Sequence, residues 1–95
     1  MPVGYLRSDY YISVLKDEST CYNIGTGSGT PFVSEETLVL VDADCLVKLN
    51  DDKFWQPIYA ANDYFIFHRK ITTICFKKNN GDGKIEIWAE GNIKR

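Results

Sequence analysis

Apolar and polar residues alternate most clearly over residues 37–49, TLVLVDADCLVKL. One set of alternating positions is uniformly apolar, whereas the other set includes Asp42, Asp44 and Lys48. A period of two residues with one apolar face is typical of a half-buried β-strand. The β-branched residues of this run disfavour a helix. We therefore predict one strand here, with at most a single helical turn before it, near Ser34.

A similar pattern occurs nearer the N-terminus. Residues 9–16 place Tyr10, Ile12 and Val14 on one face, which again predicts a strand. A shorter strand is predicted at residues 21–24.

Two aromatic-rich segments follow the central run. Residues 54–60, FWQPIYA, predict a short strand, and Pro57 restricts it to a sheet edge or a bulge because proline has no N–H to donate. Residues 64–78, YFIFHRKITTICFKK, are rich in aromatic and β-branched residues but are long for one strand. We expect this segment to bend near Arg69 and Lys70, as strands do when a small sheet curls.

The segment NNGDG, residues 79–83, carries the strongest turn signal, because Asn-Gly and Asp-Gly tolerate positive φ angles. We predict a hairpin here, with residues 84–90 as its second strand. The alternation in that strand directs Ile85 and Ile87 inward and Trp88 to the other face.

These patterns predict an all-β fold of six or seven strands in a single domain covering residues 1–95. Small all-β chains protect their edges by closing on themselves. We therefore predict a small antiparallel meander that closes into a partly open barrel or roll, with SH3-like or OB-like architecture and at most one short helix. A flat sheet with one short helix from about Ser34 is the alternative. The sequence contains no motif that identifies a family.

The charge is nearly balanced. A net charge of −2 disfavours a protein whose main ligand is a phosphate backbone, because such domains are usually basic. Acidic residues concentrate between Asp42 and Asp52, and basic residues between Arg69 and Arg95. This asymmetry suits electrostatic steering toward a protein partner.

The three cysteines, Cys21, Cys45 and Cys75, are widely spaced, and the chain has one histidine. A zinc site would lack ligands, and one disulfide would leave a thiol over. We therefore predict buried free thiols in a reducing compartment. The sequence has no apolar leader and no long uncharged apolar stretch, so we predict a cytoplasmic protein without membrane contact.

A glycine-rich segment, NIGTGSGTPF, covers residues 23–32. Phosphate-binding loops lead into a helix and carry a Gly-Lys-Ser/Thr element, whereas this segment leads into a predicted strand. We interpret it as a mobile surface loop. Thr26, Ser28 and Thr30 are its candidate contacts if it closes over a partner or a ligand.

Other chemistry is weakly supported by the sequence. Asp42 and Asp44 do not form a calcium-binding loop pattern, and we interpret them as solvated acids. His68 and Cys75 lack an orienting residue and an oxyanion loop, so a partly buried structural histidine is favoured over a catalytic pair. We predict no catalytic residue, no metal, no cofactor and no enzymatic activity.

The aromatic content is the most informative feature. Six Tyr, five Phe and two Trp are too many for a core of this size to enclose. Aromatic residues and Arg are enriched at protein interfaces, and aromatic side chains also stack single-stranded bases. The candidate partner-binding residues are Trp55, Tyr59, Tyr64, Arg69 and Trp88.

The leading hypothesis is a non-enzymatic domain that binds another protein, or a second copy of itself, through an aromatic-rich sheet face. A narrower form is a small inhibitor, encoded by a phage or mobile element, that occludes a host enzyme. One alternative is a small β-barrel that binds single-stranded nucleic acid. A second alternative is a small-ligand binder with the loop of residues 25–30 as its lid.

Overall fold

The computed structural model describes residues 7–25, 32–62 and 64–93. These residues form eight β-strands and one 3-10 helix, Ala60–Asn62, which confirms the predicted all-β class. The strands are β1 (Arg7–Val14), β2 (Thr20–Asn23), β3 (Phe32–Val41), β4 (Asp44–Leu49), β5 (Gln56–Ile58), β6 (Tyr64–Phe67), β7 (Thr73–Asn80) and β8 (Lys84–Ile93).

The strands form two four-stranded antiparallel sheets that share one core. Sheet A has the order β1-β8-β3-β6, and sheet B has the order β2-β7-β4-β5. The two sheets do not close into a continuous barrel, in agreement with the predicted partly open architecture. The strand order differs from a simple meander, because most neighbouring strands are distant in sequence.

The alternating run of residues 37–49 is not one strand, contrary to the prediction. Residues 42 and 43 form a corner between β3 in sheet A and β4 in sheet B. At this corner the carboxylate of Asp42 accepts a hydrogen bond from the backbone N–H of Lys84, over 2.5 Å. Both strands face the same core, so the period of two residues persists through the corner and conceals it.

The predicted hairpin at residues 79–83 is also wrong. β7 belongs to sheet B and β8 to sheet A, so this turn carries the chain between the sheets. Gly81 has a φ of 78°, as the turn signal suggests. The turn residues predict only that the chain reverses its direction. They do not determine whether the two flanking strands pair with each other, because strand pairing depends on which faces are buried.

Two other predicted features are confirmed. The run of residues 64–78 breaks between β6 and β7, near Arg69 and Lys70, and passes from one sheet to the other. Pro57 lies in β5, which is an edge strand of sheet B.

The described buried side chains form a single hydrophobic cluster between the sheets. Alternating residues of the central strands supply it, as expected for sheets that each cover one side of a core. Its largest fully buried apolar side chains are Phe76, Leu49, Ile71, Ile74, Ile85 and Ile87.

Ser34 of β3 pairs with Ile71, which lies in the connection between β6 and β7. Each donates its backbone N–H to the other's carbonyl oxygen, over 3.0 and 2.9 Å. The buried hydroxyl of Ser34 lies 2.5 Å from that of Thr37, which is also buried. These contacts satisfy polar groups that would otherwise be costly in an apolar core.

Asp9 links the two sheets where β1 lies beside β2 without strand pairing. Its carboxylate is buried, with 7% of the residue exposed. It accepts hydrogen bonds from the backbone N–H of Tyr10 at 3.0 Å, the backbone N–H of Gly25 at 2.7 Å and the hydroxyl of Tyr22. One side chain therefore joins two strands of different sheets.

We predict that Asp9→Asn lowers the free energy of unfolding by about 2 kcal/mol, because an amide replaces one of two accepting oxygens and faces a donor. Urea denaturation followed by tryptophan fluorescence measures this change. Asp51→Ala, at an exposed position, is the control and should change stability by less than about 0.5 kcal/mol. An equal effect of the two substitutions would contradict the role given to Asp9.

Candidate functional site

The outer face of sheet A carries a contiguous group of apolar side chains on the side opposite to the core. Two neighbouring cross-strand rows form most of it. One contains Tyr10 and Trp88, and the other contains Ile12 and Tyr64, with Glu86 between Ile12 and Leu40. We call this group the sheet A patch, and its members are Tyr10, Ile12, Val14, Leu38, Leu40, Tyr64, Ile66 and Trp88.

The patch is open to solvent. Tyr64 is 57% exposed, Val14 53%, Ile12 48% and Trp88 46%, whereas Leu38 and Leu40 on the central strand are half-buried between their neighbours. Single exposed apolar residues are common on proteins, but contiguous groups of this kind mark interaction sites.

Two of the three aromatic side chains in the patch, Tyr10 and Trp88, are in contact with each other. The rings of Tyr10 and Trp88 lie 4.2 Å apart between centroids, at an angle of 49°. The hydroxyl of Tyr10 donates to the carboxylate of Glu86 over 2.6 Å. This hydrogen bond raises the pKa of Tyr10, and burial and the negative charge of Glu86 add to the effect.

A shallow depression of about 300 Å³ lies at one end of the patch. Its lining combines apolar side chains with two acids and one base, so it suits an amphipathic group better than a purely apolar one. The lining residues are Ile12, Leu40, Val41, Asp42, Lys84 and Glu86.

The charged side chains around the patch are mainly acidic. Glu36 and Glu90 are directly opposite each other on β3 and β8, at the end of the patch away from the depression. His68 lies beside them, with its Nδ1 atom 3.4 Å from a carboxylate oxygen of Glu36. Two carboxylates in register repel each other, so this end of the face attracts cations.

The outer face of sheet B differs in its chemistry. Trp55 is half-buried there, with the ammonium of Lys77 4.4 Å and that of Lys48 4.9 Å from its ring centroid. These cation–π contacts cover the ring. Cys21 and Cys75 form a disulfide across β2 and β7 on the same face.

The predicted partner-binding residues do not form one surface. Trp88 and Tyr64 belong to the sheet A patch, whereas Trp55 covers sheet B. Tyr59 follows the edge strand β5 and is 48% exposed. Arg69 lies between β6 and β7, and its guanidinium donates to a carboxylate oxygen of Asp52 over 2.9 Å.

The contact between Arg69 and Asp52 joins the basic segment of the sequence to the acidic one. Asp42 likewise adjoins Lys84, so the acidic and basic segments of the sequence meet in space at two places. The candidate loop residues Thr26, Ser28 and Thr30 lie outside the described residues.

Sequence reasoning missed most members of the patch. The shared face of Tyr10, Ile12 and Val14 was visible in the alternation, but the pattern cannot show whether that face is inside or outside. Residues 38–41 of β3 are apolar on both faces, so the sequence also hides the contribution of Leu38 and Leu40 to the patch.

The prediction of three free thiols is wrong for two of them. Cys21 and Cys75, 54 residues apart, are directly opposite in the pairing of β2 with β7. Cys45 remains a free, buried thiol. Spacing along the chain could not reveal the pair, because the pairing of these strands is long-range.

The structure also places the residues considered for metal binding and catalysis. The described residues contain no group of three or more His, Cys, Asp or Glu arranged to hold a metal ion. Asp44 accepts a hydrogen bond from the backbone N–H of Ala60, over 3.0 Å. Cys75 is bonded to Cys21, and the side chain of His68 is 70% exposed rather than partly buried.

No family model, curated protein or solved structure matches this chain. Within the described residues, no helix is long and apolar enough to cross a membrane.

We predict that Cys21→Ser/Cys75→Ser lowers the free energy of unfolding by roughly 4 kcal/mol, because the disulfide closes a long loop in the unfolded chain. Denaturation with and without a reductant measures this effect. The reductant should lower the stability of the natural chain to the same level and leave the double variant unchanged. Equal stability of the oxidised chain and the variant would contradict a disulfide in the folded protein.

Cys45 should be unreactive in the folded protein. Burial, with a smaller contribution from the Asp44 carboxylate, raises the pKa of the Cys45 thiol from 9.0 to about 11. We expect a thiol reagent at roughly pH 8 to label one cysteine per unfolded, unreduced chain and none per folded chain. Labelling of the folded chain at the unfolded rate would contradict the burial of this thiol.

Proposed function

We propose that this chain is a non-enzymatic interaction domain that binds a protein partner through the sheet A patch. The observation that carries the proposal is the patch itself, a contiguous aromatic and aliphatic surface on the outer face of a sheet whose other face forms the core. Burying such a surface against a partner is favourable because it removes apolar area from water.

The aromatic anchors need little ordering when a partner binds. Tyr10 is held by its contacts with the ring of Trp88 and the carboxylate of Glu86. Side chains that are already fixed lose less conformational entropy on binding, so more of the interaction energy contributes to affinity. Tyr and Trp are also the residues that most often dominate the energetics of an interface.

The charges select the chemistry of the partner. Three glutamates, Glu36, Glu86 and Glu90, and one lysine, Lys84, accompany the patch among the described side chains of its strands. A partner with an apolar centre flanked by Lys or Arg would neutralise the opposed carboxylates of Glu36 and Glu90. The depression beside Ile12 would receive one of its anchor side chains.

The single-stranded nucleic-acid hypothesis is the second candidate. Tyr64 and Trp88 lie on one face, as base stacking requires. The surrounding glutamates oppose a phosphate backbone, however, and this favours a protein partner.

Three narrower hypotheses stay predictions. The first is an inhibitor of phage or mobile-element origin, and the second is a small-ligand site closed by the loop of residues 25–30.

The third is a cytoplasmic location. Against it, the disulfide between Cys21 and Cys75 favours an oxidising compartment, because thiol systems keep cytosolic cysteines reduced. Trapping free thiols in intact cells before lysis distinguishes the two compartments.

The test uses two tryptophan variants, one for each outer face. Tagged natural chain, Trp88→Ala and Trp55→Ala are incubated with lysate of the native cells, with and without nuclease. We expect one protein to be retained by the natural chain and by Trp55→Ala, to survive nuclease, and to be lost with Trp88→Ala. Circular dichroism of each variant establishes that it is folded.

With the captured partner purified, Trp88→Ala should weaken binding roughly 30-fold, as expected for a hot-spot tryptophan. Trp55→Ala should change the dissociation constant by less than about threefold, because its ring lies on the other sheet. Isothermal titration calorimetry measures both values. Equal losses for the two variants, or retention of nucleic acid in place of protein, would contradict the proposal.

A further inference from the structure

β1 differs from the other edge strands of the two sheets. Among the described strands it pairs with β8 on one side and with no strand on the other, although β2 of sheet B contacts it through Asp9 and Tyr22. The remaining edges, β2, β5 and β6, are three or four residues long, whereas β1 has eight. Proteins usually keep edge strands short, because a long open edge presents unpaired backbone groups to other chains.

The direction of the backbone groups in β1 follows from one hydrogen bond. The N–H of Leu15 donates to the carbonyl oxygen of Gly83 over 2.9 Å, on the β8 side. Backbone groups of successive strand residues point to opposite sides, so those of Tyr10, Ile12 and Val14 point to the open edge. The N–H of Tyr10 agrees with this assignment, since it donates to Asp9 rather than to β8.

The open edge has little protection against pairing. Arg7 begins β1 and Lys16 follows it closely, but residues 8–15 between them, SDYYISVL, contain no Lys, Arg or Pro, the residues that most often guard an edge. The carboxylate of Asp9 points inward. Of the three N–H groups that point to the open edge, it accepts a hydrogen bond only from that of Tyr10. The N–H groups of Ile12 and Val14 have no such side-chain acceptor among the described residues.

We propose that two copies of this chain pair through β1, antiparallel and around a two-fold axis at Ile12, so that the two A sheets become one eight-stranded sheet. This inference goes beyond the proposed function, because it rests on the edge of the sheet and not on its outer face. Its partner is a second copy of the chain.

The register follows from self-complementarity. Hydrogen bonding across the edge requires even-numbered residues to face even-numbered residues. An axis at Ile12 places Ile12 opposite its own copy and Tyr10 opposite Val14 of the second copy, so all three apolar residues meet apolar residues. An axis one residue earlier places Val14 opposite Ser8, and one residue later places Tyr10 opposite Lys16.

The pairing also suits the charges and the patch. No described charged side chain of residues 8–15 lies on the outer face, so like charges do not meet at the new seam. The nearest carboxylates, Glu86 of each copy, are separated by both β1 strands, roughly 14 Å at the usual strand spacing. The two sheet A patches become continuous across the dimer.

The test is the mass of the full, disulfide-bonded chain in solution. Sedimentation at roughly 10 µM to 1 mM, which covers the affinities expected of small interfaces, should show the mass rising from 10.9 kDa toward twice that value. A mass of 10.9 kDa throughout this range would overturn the proposal.

The matched variants are Ile12→Pro and Ile12→Ala. Proline removes an N–H that points to the open edge and makes no bond to β8, so the chain should fold and the dissociation constant should rise at least roughly 30-fold. Alanine keeps the N–H, so Ile12→Ala should raise the dissociation constant of the dimer less than roughly tenfold. Equal effects of proline and alanine in folded chains would overturn the backbone pairing.

A cross-linking measurement covers the case in which Ile12→Pro does not fold. Ile12→Cys should form a disulfide-linked dimer under mild oxidation, whereas Tyr64→Cys, on the opposite edge strand of the same sheet, should not. Equal cross-linking at both positions would contradict pairing through β1. Trp88→Ala should change the dissociation constant of the dimer by less than about threefold. The proposal of a partner-binding patch and the proposal of a β1 dimer can therefore fail independently of each other.

Discussion

The architecture depends on the contact between two corners at which the chain crosses from one sheet to the other. Asp42 occupies the first corner and Lys84 follows the second. They exchange hydrogen bonds: the Asp42 N–H donates to the Lys84 carbonyl, and the Lys84 N–H donates to the Asp42 carboxylate. Gly83 lies so close to Asp42 and Ala43 that a side chain there would clash with both. Because the corners are packed together, β3 and β8 remain in sheet A while β4 and β7 continue in sheet B.

This division produces two outer faces with unlike chemistry. The outer face of sheet B carries the disulfide between Cys21 and Cys75. On the same face, the ammonium groups of two lysines lie over the ring of Trp55. On sheet A, Trp88 and Tyr64 lie in a patch that surrounds Glu86 and ends at Glu36 and Glu90. Of the two described outer faces, the apolar face of sheet A is better suited to burial against another protein than the charged, cross-linked face of sheet B.

The edges and the patch are connected physically. The carboxylate of Asp9 joins β1 to sheet B by accepting hydrogen bonds from Tyr22 and Gly25. This contact is on the core side of β1, so it leaves the outer face of the strand exposed. Tyr10, one residue on, belongs both to that exposed edge and to the patch. A second chain on the edge and a partner on the face would therefore contact adjacent parts of one continuous sheet.

Local features of the chain were sufficient to predict four aspects of the fold. Alternation indicated the all-β class and the inward direction of Ile85 and Ile87, the missing N–H of Pro57 indicated an edge or a bulge, and the length of the run of residues 64–78 indicated the bend near Arg69. Alternation could not locate the corner at Asp42, the partner of Cys21 or the sheet that receives β8. Those features depend on which strands meet, and the strands that meet here are distant in sequence. The same reason separates Trp55 from Trp88. The number of aromatic residues is enough to show that some of them must remain exposed, but which of them share a face follows from the long-range pairing of the strands.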